Sequence, residues 1–129
     1  MVRMNDTVPV LRPQAARAWM LVEALALGVA STVHAGLLVP GHAHPQARIA
    51  EAVIATVLVL ASVETWLRPA HARPAAIFGQ GFALVGTLVG LFTIVLGIGP
   101  HTMSDVVFHA LLLATLVTGL TMAVRCRPV

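Results

Sequence analysis

A chain of 129 residues that is 58% hydrophobic and 10% charged, with a mean hydropathy of +0.91, is too apolar for a water-soluble domain, because it lacks the polar residues that a surface in water needs. The eight basic residues are all arginine and the net charge is only +3, a balance that fits orientation signals and anionic headgroups and argues against nucleic acid as a partner. Cys126 is the one cysteine, so neither an intrachain disulfide nor a multi-thiolate metal site is available.

In chain order, residues 1–17 carry Arg3, Asp6, Arg12, Pro13 and Arg17 without apolar periodicity and read as a cytoplasmic leader, loosely ordered or interfacial. The first apolar span is expected over about 18–39, ending where Pro40-Gly41 removes an amide donor and frees the backbone. The second is expected over about 49–67, stopped by Arg68-Pro69, and the third over about 75–97, between Pro74 and Gly99-Pro100. The fourth is expected over about 104–124, before a cytoplasmic tail, 125–129, with Arg125, Cys126 and Arg127. Each has roughly the 20 residues that a helix needs to cross about 30 Å of hydrocarbon. Glu51 and Glu64 lie near the two ends of the second span, where a re-entrant or interfacial segment is the alternative; a full span is preferred because charges near helix ends reach headgroups or a protein interior. Val33-His34-Ala35 before Gly36 imitates a signal-peptide cleavage site, but the apolar run is long for a signal core and contains Glu23, so an uncleaved span is expected.

The fold class that follows is all-α, an integral membrane four-helix bundle. With four alternating spans, Arg3, Arg12, Arg17, Arg68, Arg73, Arg125 and Arg127 fall on one side and Arg48 on the other, the positive-inside pattern that places both termini in the cytoplasm. A shift of 58 lays Gly28 on Gly86, Gly41 on Gly99, Glu51 on His109, Ala52 on Ala110 and Leu58-Val59 on Leu116-Val117, which suggests two duplicated helical hairpins. Gly79, Ala83, Gly86 and Gly90 form a stripe of small residues on span three, and Ala24, Gly28, Ser31 and Ala35 one on span one. Such stripes allow close helix approach in lipid, which makes spans one and three the expected centre of the bundle, within the chain or across a homodimer.

Ionisable residues at membrane depth are the candidates for chemistry. His34, Glu51, Asp105 and His109 lie toward the extracytoplasmic end, with His42, His44 and His101 in the loops there. Imidazole and carboxylate together suit a transition metal, and His34 with His109 would also suit a haem; the bland reading is histidines satisfied by water, headgroups and internal hydrogen bonds. Toward the cytoplasmic leaflet, Glu23, Glu64 and Gln80 are a candidate proton-carrying patch for a coupled transporter. A lone membrane Glu in a four-helix chain resembles the small multidrug resistance transporters. The likeness ends there, because this chain has no Tyr and its two Trp, Trp19 and Trp66, stand at span ends as interfacial anchors. Ser31, Ser62 and Ser104 have no Gly-rich elbow and no phosphate-binding loop is present, so enzyme activity is not expected. Cys126 between two arginines is open to acylation, with no role as the plainer reading.

Ile49-Ala-Glu-Ala-Val-Ile54, the segment from Gln80 to Thr93, and Gly99-Pro-His-Thr102 give residues 18–124 a general look. In it the chain resembles small four-helix proteins of bacterial inner membranes, a resemblance that implies fold and location and no activity. The function expected is a non-enzymatic accessory or interaction protein whose partners are the bilayer and a second copy or another membrane protein. The alternatives are a metal- or haem-binding protein and a proton-coupled transporter centred on Glu23.

Overall fold

The computed structural model describes residues 13–126. It has four α-helices: α1 (Pro13–His34), α2 (Pro45–Leu67), α3 (Ala72–Val95) and α4 (Met103–Arg125), with one 3₁₀ turn, Pro69–His71, between α2 and α3 and no strand among the described residues. All four are long and apolar enough to cross a membrane. Arg3, Asp6 and Arg12 of the expected leader and Arg127 of the tail lie outside the described residues.

The largest departure from the expected spans is in α1, which runs from Pro13 to His34 rather than over 18–39. Pro13 fits the first helical turn, where its missing amide has no partner to lose, and Gln14-Ala-Ala-Arg17 are good helix formers. Those last residues of the expected leader therefore belong to the helix. At the other end Gly36 takes φ +75°, and the amides of Gly36 and Leu37 return to the carbonyls of Val33 (2.9 Å) and Thr32 (3.2 Å). This Schellman closure stops the helix before Leu37-Leu38-Val39 can extend it, so Pro40-Gly41 lies in the loop. Gly97 does the same for α3, with φ +72° and amide bonds from Gly97 to Ile94 (2.9 Å) and from Ile98 to Thr93 (3.0 Å).

The second helix of each hairpin starts at a side-chain cap. His44 Nδ1 accepts the Ala47 amide at 3.2 Å, with Pro45 at the first position of α2. Thr102 and Asp105 form a capping box at α4, the Thr102 amide donating to Asp105 Oδ2 (3.0 Å) and the Asp105 amide to Thr102 Oγ1 (3.3 Å), which satisfies two otherwise orphaned donors. A shift of 58 carries buried Glu51, Ile54, Leu58, Ala61 and Thr65 of α2 onto His109, Leu112, Leu116, Gly119 and Ala123 of α4, all buried as well. The first helices do not follow this shift: a Cβ on Gly28 would meet nothing within 4 Å, whereas one on Gly86 would stand 2.7 Å from Ile54. Nor do the loop glycines, since Gly41 has a positive φ and Gly99 does not.

The helices run up and down. Arg17 near the start of α1 reaches the last turn of α2, its Nε donating to Thr65 Oγ1 (2.9 Å) and its Nη2 to the Thr65 carbonyl (2.5 Å), with the guanidinium 4.7 Å from the Trp66 ring centre. Arg73 Nε near the start of α3 donates to the Val124 carbonyl (3.2 Å) at the end of α4. Met20, Leu27, Leu58 and Leu116 are enclosed at the centre, while Val22, Leu25, Phe78, Phe92 and Leu111 face outward. The buried share of the apolar stretch is 33% in α1, 33% in α2 and 28% in each of α3 and α4, so α1 and α3 are not a buried centre; four similar helices share the core.

The α3 stripe is consumed inside the chain. A Cβ on Gly79 would stand 2.6 Å from Ala61 Cβ, and one on Gly90 would stand 3.2 Å from His109 Nε2. Close approach of α3 to α2 and α4 is what these glycines permit. Trp19 is not an end anchor either: it is half-buried, its Nε1 donates to the Thr115 carbonyl of α4 at 2.9 Å, and Gly119 leaves room for its ring. Trp66 is exposed, with the Arg17 guanidinium over its ring.

Candidate functional site

Two buried polar layers interrupt the apolar core. The first lies at the end of the bundle that holds the α1–α2 and α3–α4 loops. His34, the last residue of α1, presents Nδ1 to the Glu51 carboxylate (2.8 Å to Oε2, 3.0 Å to Oε1) and Nε2 to Asp105 Oδ1 (3.2 Å). Exposure of the three residues is 4%, 5% and 7%, so each nitrogen–oxygen contact needs a proton to be attractive. Two shared protons leave this triad with a formal charge of −1 whichever atoms carry them. Asp105 Oδ2 is held by the Thr102 amide and hydroxyl (3.0 and 2.6 Å), and its place in the first turn of α4 sets its charge against the positive end of the helix dipole. The triad thus joins α1, α2 and α4 through one imidazole, and Ser31 Oγ adds a bond to the Arg48 carbonyl at 2.9 Å.

His109, one turn further into α4, donates from Nδ1 to the Asp105 carbonyl at 2.7 Å. Its neutral ring therefore carries a lone pair on Nε2, on the side of Gly90. His44 has the opposite tautomer: Nδ1 accepts from Ala47, so Nε2–H donates to the Ile98 carbonyl (3.3 Å) and ties the two loops together.

The second layer is the pair Glu23–Gln80, in which Gln80 Nε2 donates to Glu23 Oε2 at 2.6 Å. Because α1 begins at Pro13, Glu23 sits about 15 Å from either end of the helix at about 1.5 Å per residue, at its mid-length rather than near one end. Glu64 does not join it. Its carboxylate faces Arg68 Nη1 (3.3 Å) and His71 Nδ1 (3.7 Å) at the bundle end. Glu23 Oε1 and Gln80 Oε1 have no partner, and neither do Ser62 Oγ and Thr87 Oγ1. Leu27, Ile54, Leu58, Leu112 and Leu116, all buried, supply the apolar core around these two layers.

Comparison of the chain with known protein families, with curated proteins and with solved structures finds no match.

Of the seven residues expected to gather at the extracytoplasmic end, His34, Glu51 and Asp105 meet directly and His109 and His44 stand beside them, with the His34 and His44 rings edge to face at 6.5 Å between centres. His42 Nδ1 donates to the Pro40 carbonyl (3.4 Å) and His101 Nδ1 to the Gly99 carbonyl (3.2 Å), each within its own loop. Among the described residues no three His, Cys, Asp or Glu side chains are arranged to hold a metal ion. For haem ligation by His34, one of its two carboxylate contacts would have to break. Cys126 is buried beside Arg73; burial pushes its thiol above the ordinary range, with the Arg73 guanidinium pulling the other way.

The sequence reading gave Thr87 no role and Trp19 only that of an end anchor. Trp19 gave no signal beyond its position near a span end. Thr87 did give one: it lies seven residues after Gln80, on the same helix face.

Proposed function

We propose that the chain is a small integral membrane protein of a bacterial plasma membrane, crossing the bilayer four times with both ends in the cytoplasm, and acting as a non-enzymatic accessory or interaction protein. The observation that carries this reading is the clamp at His34: both ring nitrogens are committed to carboxylates on two other helices, so the imidazole at the centre of the cluster is spent on holding the bundle. The outward faces support the same reading, since Val22, Leu25, Val85, Phe92 and Leu111 are exposed and match lipid or another membrane helix, a second copy included. Orientation draws on the arginines. Arg17, Arg68, Arg73 and Arg125 belong to one end of the bundle and Arg48 alone, among the described arginines, to the other, and arginine collects on the cytoplasmic side.

The test is labelling with a membrane-impermeant maleimide in a Cys126→Ala background. Ala43→Cys, in the α1–α2 loop, should react in intact cells, and Ala70→Cys, in the 3₁₀ turn, only after permeabilisation. The opposite order would reverse the orientation, and equal labelling of both before permeabilisation would remove the four-span reading.

Proton-coupled transport through Glu23 is a second reading, favoured by one observation: Glu23 Oε1 and Gln80 Oε1 are buried at mid-depth without partners, and an ionisable group there is ordinarily functional. On that reading, Glu23→Gln abolishes dissipation of an imposed pH gradient by protein-containing vesicles. Equal dissipation by wild type and variant would sink it.

A further inference from the structure

A cavity of about 290 Å³ opens between α2 and α3 close to the His34 clamp. Exposed Gln46, Ala50 and Val89 form its rim, so it is entered from the side of the bundle, and its volume is at the small end of ligand pockets. Most of the lining is apolar, supplied by Leu27, Ile54, Ile94 and Leu112 among others. Six polar residues line the same space: Gln46 stands at the exposed rim, His44 and Thr93 already donate to the Ile98 and Gly90 carbonyls, and Glu51, Thr87 and His109 complete the set.

Thr87 is the residue that needs explaining. Every other threonine within the described helices donates its hydroxyl to a carbonyl three or four residues back: Thr32, Thr56, Thr65, Thr93, Thr115, Thr118 and Thr121, at 2.6 to 2.8 Å. Thr87 Oγ1 makes no such bond and has no partner of any kind, although the residue is only 2% exposed. A buried hydroxyl left unpaired is unfavourable, and this one lines a cavity. His109 and Glu51 also offer lone pairs there. His109 has its proton on Nδ1, bonded to the Asp105 carbonyl, which leaves Nε2 as an acceptor, and the Glu51 carboxylate oxygens, each already facing His34, retain further acceptor capacity.

We propose that this cavity is a binding site for a lipophilic primary amine in its ammonium form, the apolar body lying against Leu27, Ile54 and Leu112 and the head meeting Thr87, His109 and Glu51. A primary ammonium brings three donors to the lone pairs of Glu51, His109 Nε2 and Thr87 Oγ1, the hydroxyl acting there as an acceptor. It also brings one positive charge to a triad with a formal charge of −1. A neutral alcohol of the same shape can take the Thr87 proton but supplies only one donor and no charge, and a carboxylate would be repelled.

The test is calorimetric titration of the full-length protein in lipid nanodiscs with 4-phenylbutylamine, empty nanodiscs serving as the blank and 4-phenylbutan-1-ol as the neutral analogue. The expected result is saturable binding of one amine per chain, at least tenfold tighter than the alcohol. Thr87→Val should weaken amine binding at least fivefold while leaving the melting temperature unchanged or higher, because an unpaired hydroxyl is replaced by a methyl of the same shape. Thr56→Val, on the exposed side of α2, should bind as wild type does. Uptake no greater than that of empty nanodiscs, an alcohol as tight as the amine, or undiminished binding by Thr87→Val would each overturn the proposal.

Discussion

Replacing His34 by leucine is expected to destabilise the bundle by about 3–5 kcal/mol, the loss typical when one partner of a buried charged cluster is removed. Glu51 and Asp105 come from different helices and both are buried. With the imidazole gone they face an apolar side chain, without the donor that now stands between them at 2.8 and 3.2 Å. The ranking of variants tests the mechanism more sharply than any single value. Glu51→Gln keeps an acceptor for His34 Nδ1 and should lose only about 1 kcal/mol, the scale of one hydrogen bond. Removing the cluster together, with His34→Leu, Glu51→Leu and Asp105→Asn, should recover much of the loss, because no unpaired charge then remains inside. Denaturant unfolding in detergent micelles followed by helical circular dichroism reads all three. Wild-type stability in His34→Leu would show that the clamp does not hold the helices together.

Gly79→Ala is the second large effect, expected at about 1–3 kcal/mol from overpacking. The new Cβ would lie 2.6 Å from Ala61 Cβ, an atom bonded directly to the α2 backbone, so relief requires α2 and α3 to move apart along a seam that also brings Gly86 against Ile54. Ala61→Gly removes the obstructing atom, and the double variant should regain most of the stability lost in Gly79→Ala. Gly28→Ala is the control. Nothing stands within 4 Å of a Cβ there, so alanine should be neutral or stabilising by up to about 1 kcal/mol from helix propensity. Thermal unfolding of the four proteins checks the set; a neutral Gly79→Ala, or a double variant no better than the single, would mean that the seam relaxes freely.

The sequence was most legible where a one-dimensional signal has a direct physical cause. Four apolar runs of sufficient length, separated by Gly, Pro and charge, led to four helices, and the second, with Glu51 and Glu64 near its ends, is a continuous helix from Pro45 to Leu67. Boundaries were less legible. Hydropathy counts Leu37, Leu38 and Val39 as span, while Gly36 had already turned the chain with φ +75°. Hydropathy likewise discards Gln14 and Arg17, which are good helix formers. The end-of-bundle cluster was legible in part, because His34, Glu51 and Asp105 share a depth once the spans are folded up and down, and depth follows from counting residues.

Length, apolarity and the placing of arginine are properties of the chain itself, so the sequence alone determined the helical class, the number of helices and the end at which the histidines gather. Which histidine bridges two carboxylates, which donates to its own helix and which caps the next depends on the rotation of each helix about its axis. That rotation is set by close contacts between helices, Gly79 on Ala61 and Gly119 beside Gln80 and Trp19, which no single helix can specify. The pairing of Glu23 with Gln80, the separate surface pair of Glu64 with Arg68, and the unpaired hydroxyl of Thr87 beside an open cavity were decided at that level alone, because they depend on which side chains the packing of four helices brings within a few ångströms of one another.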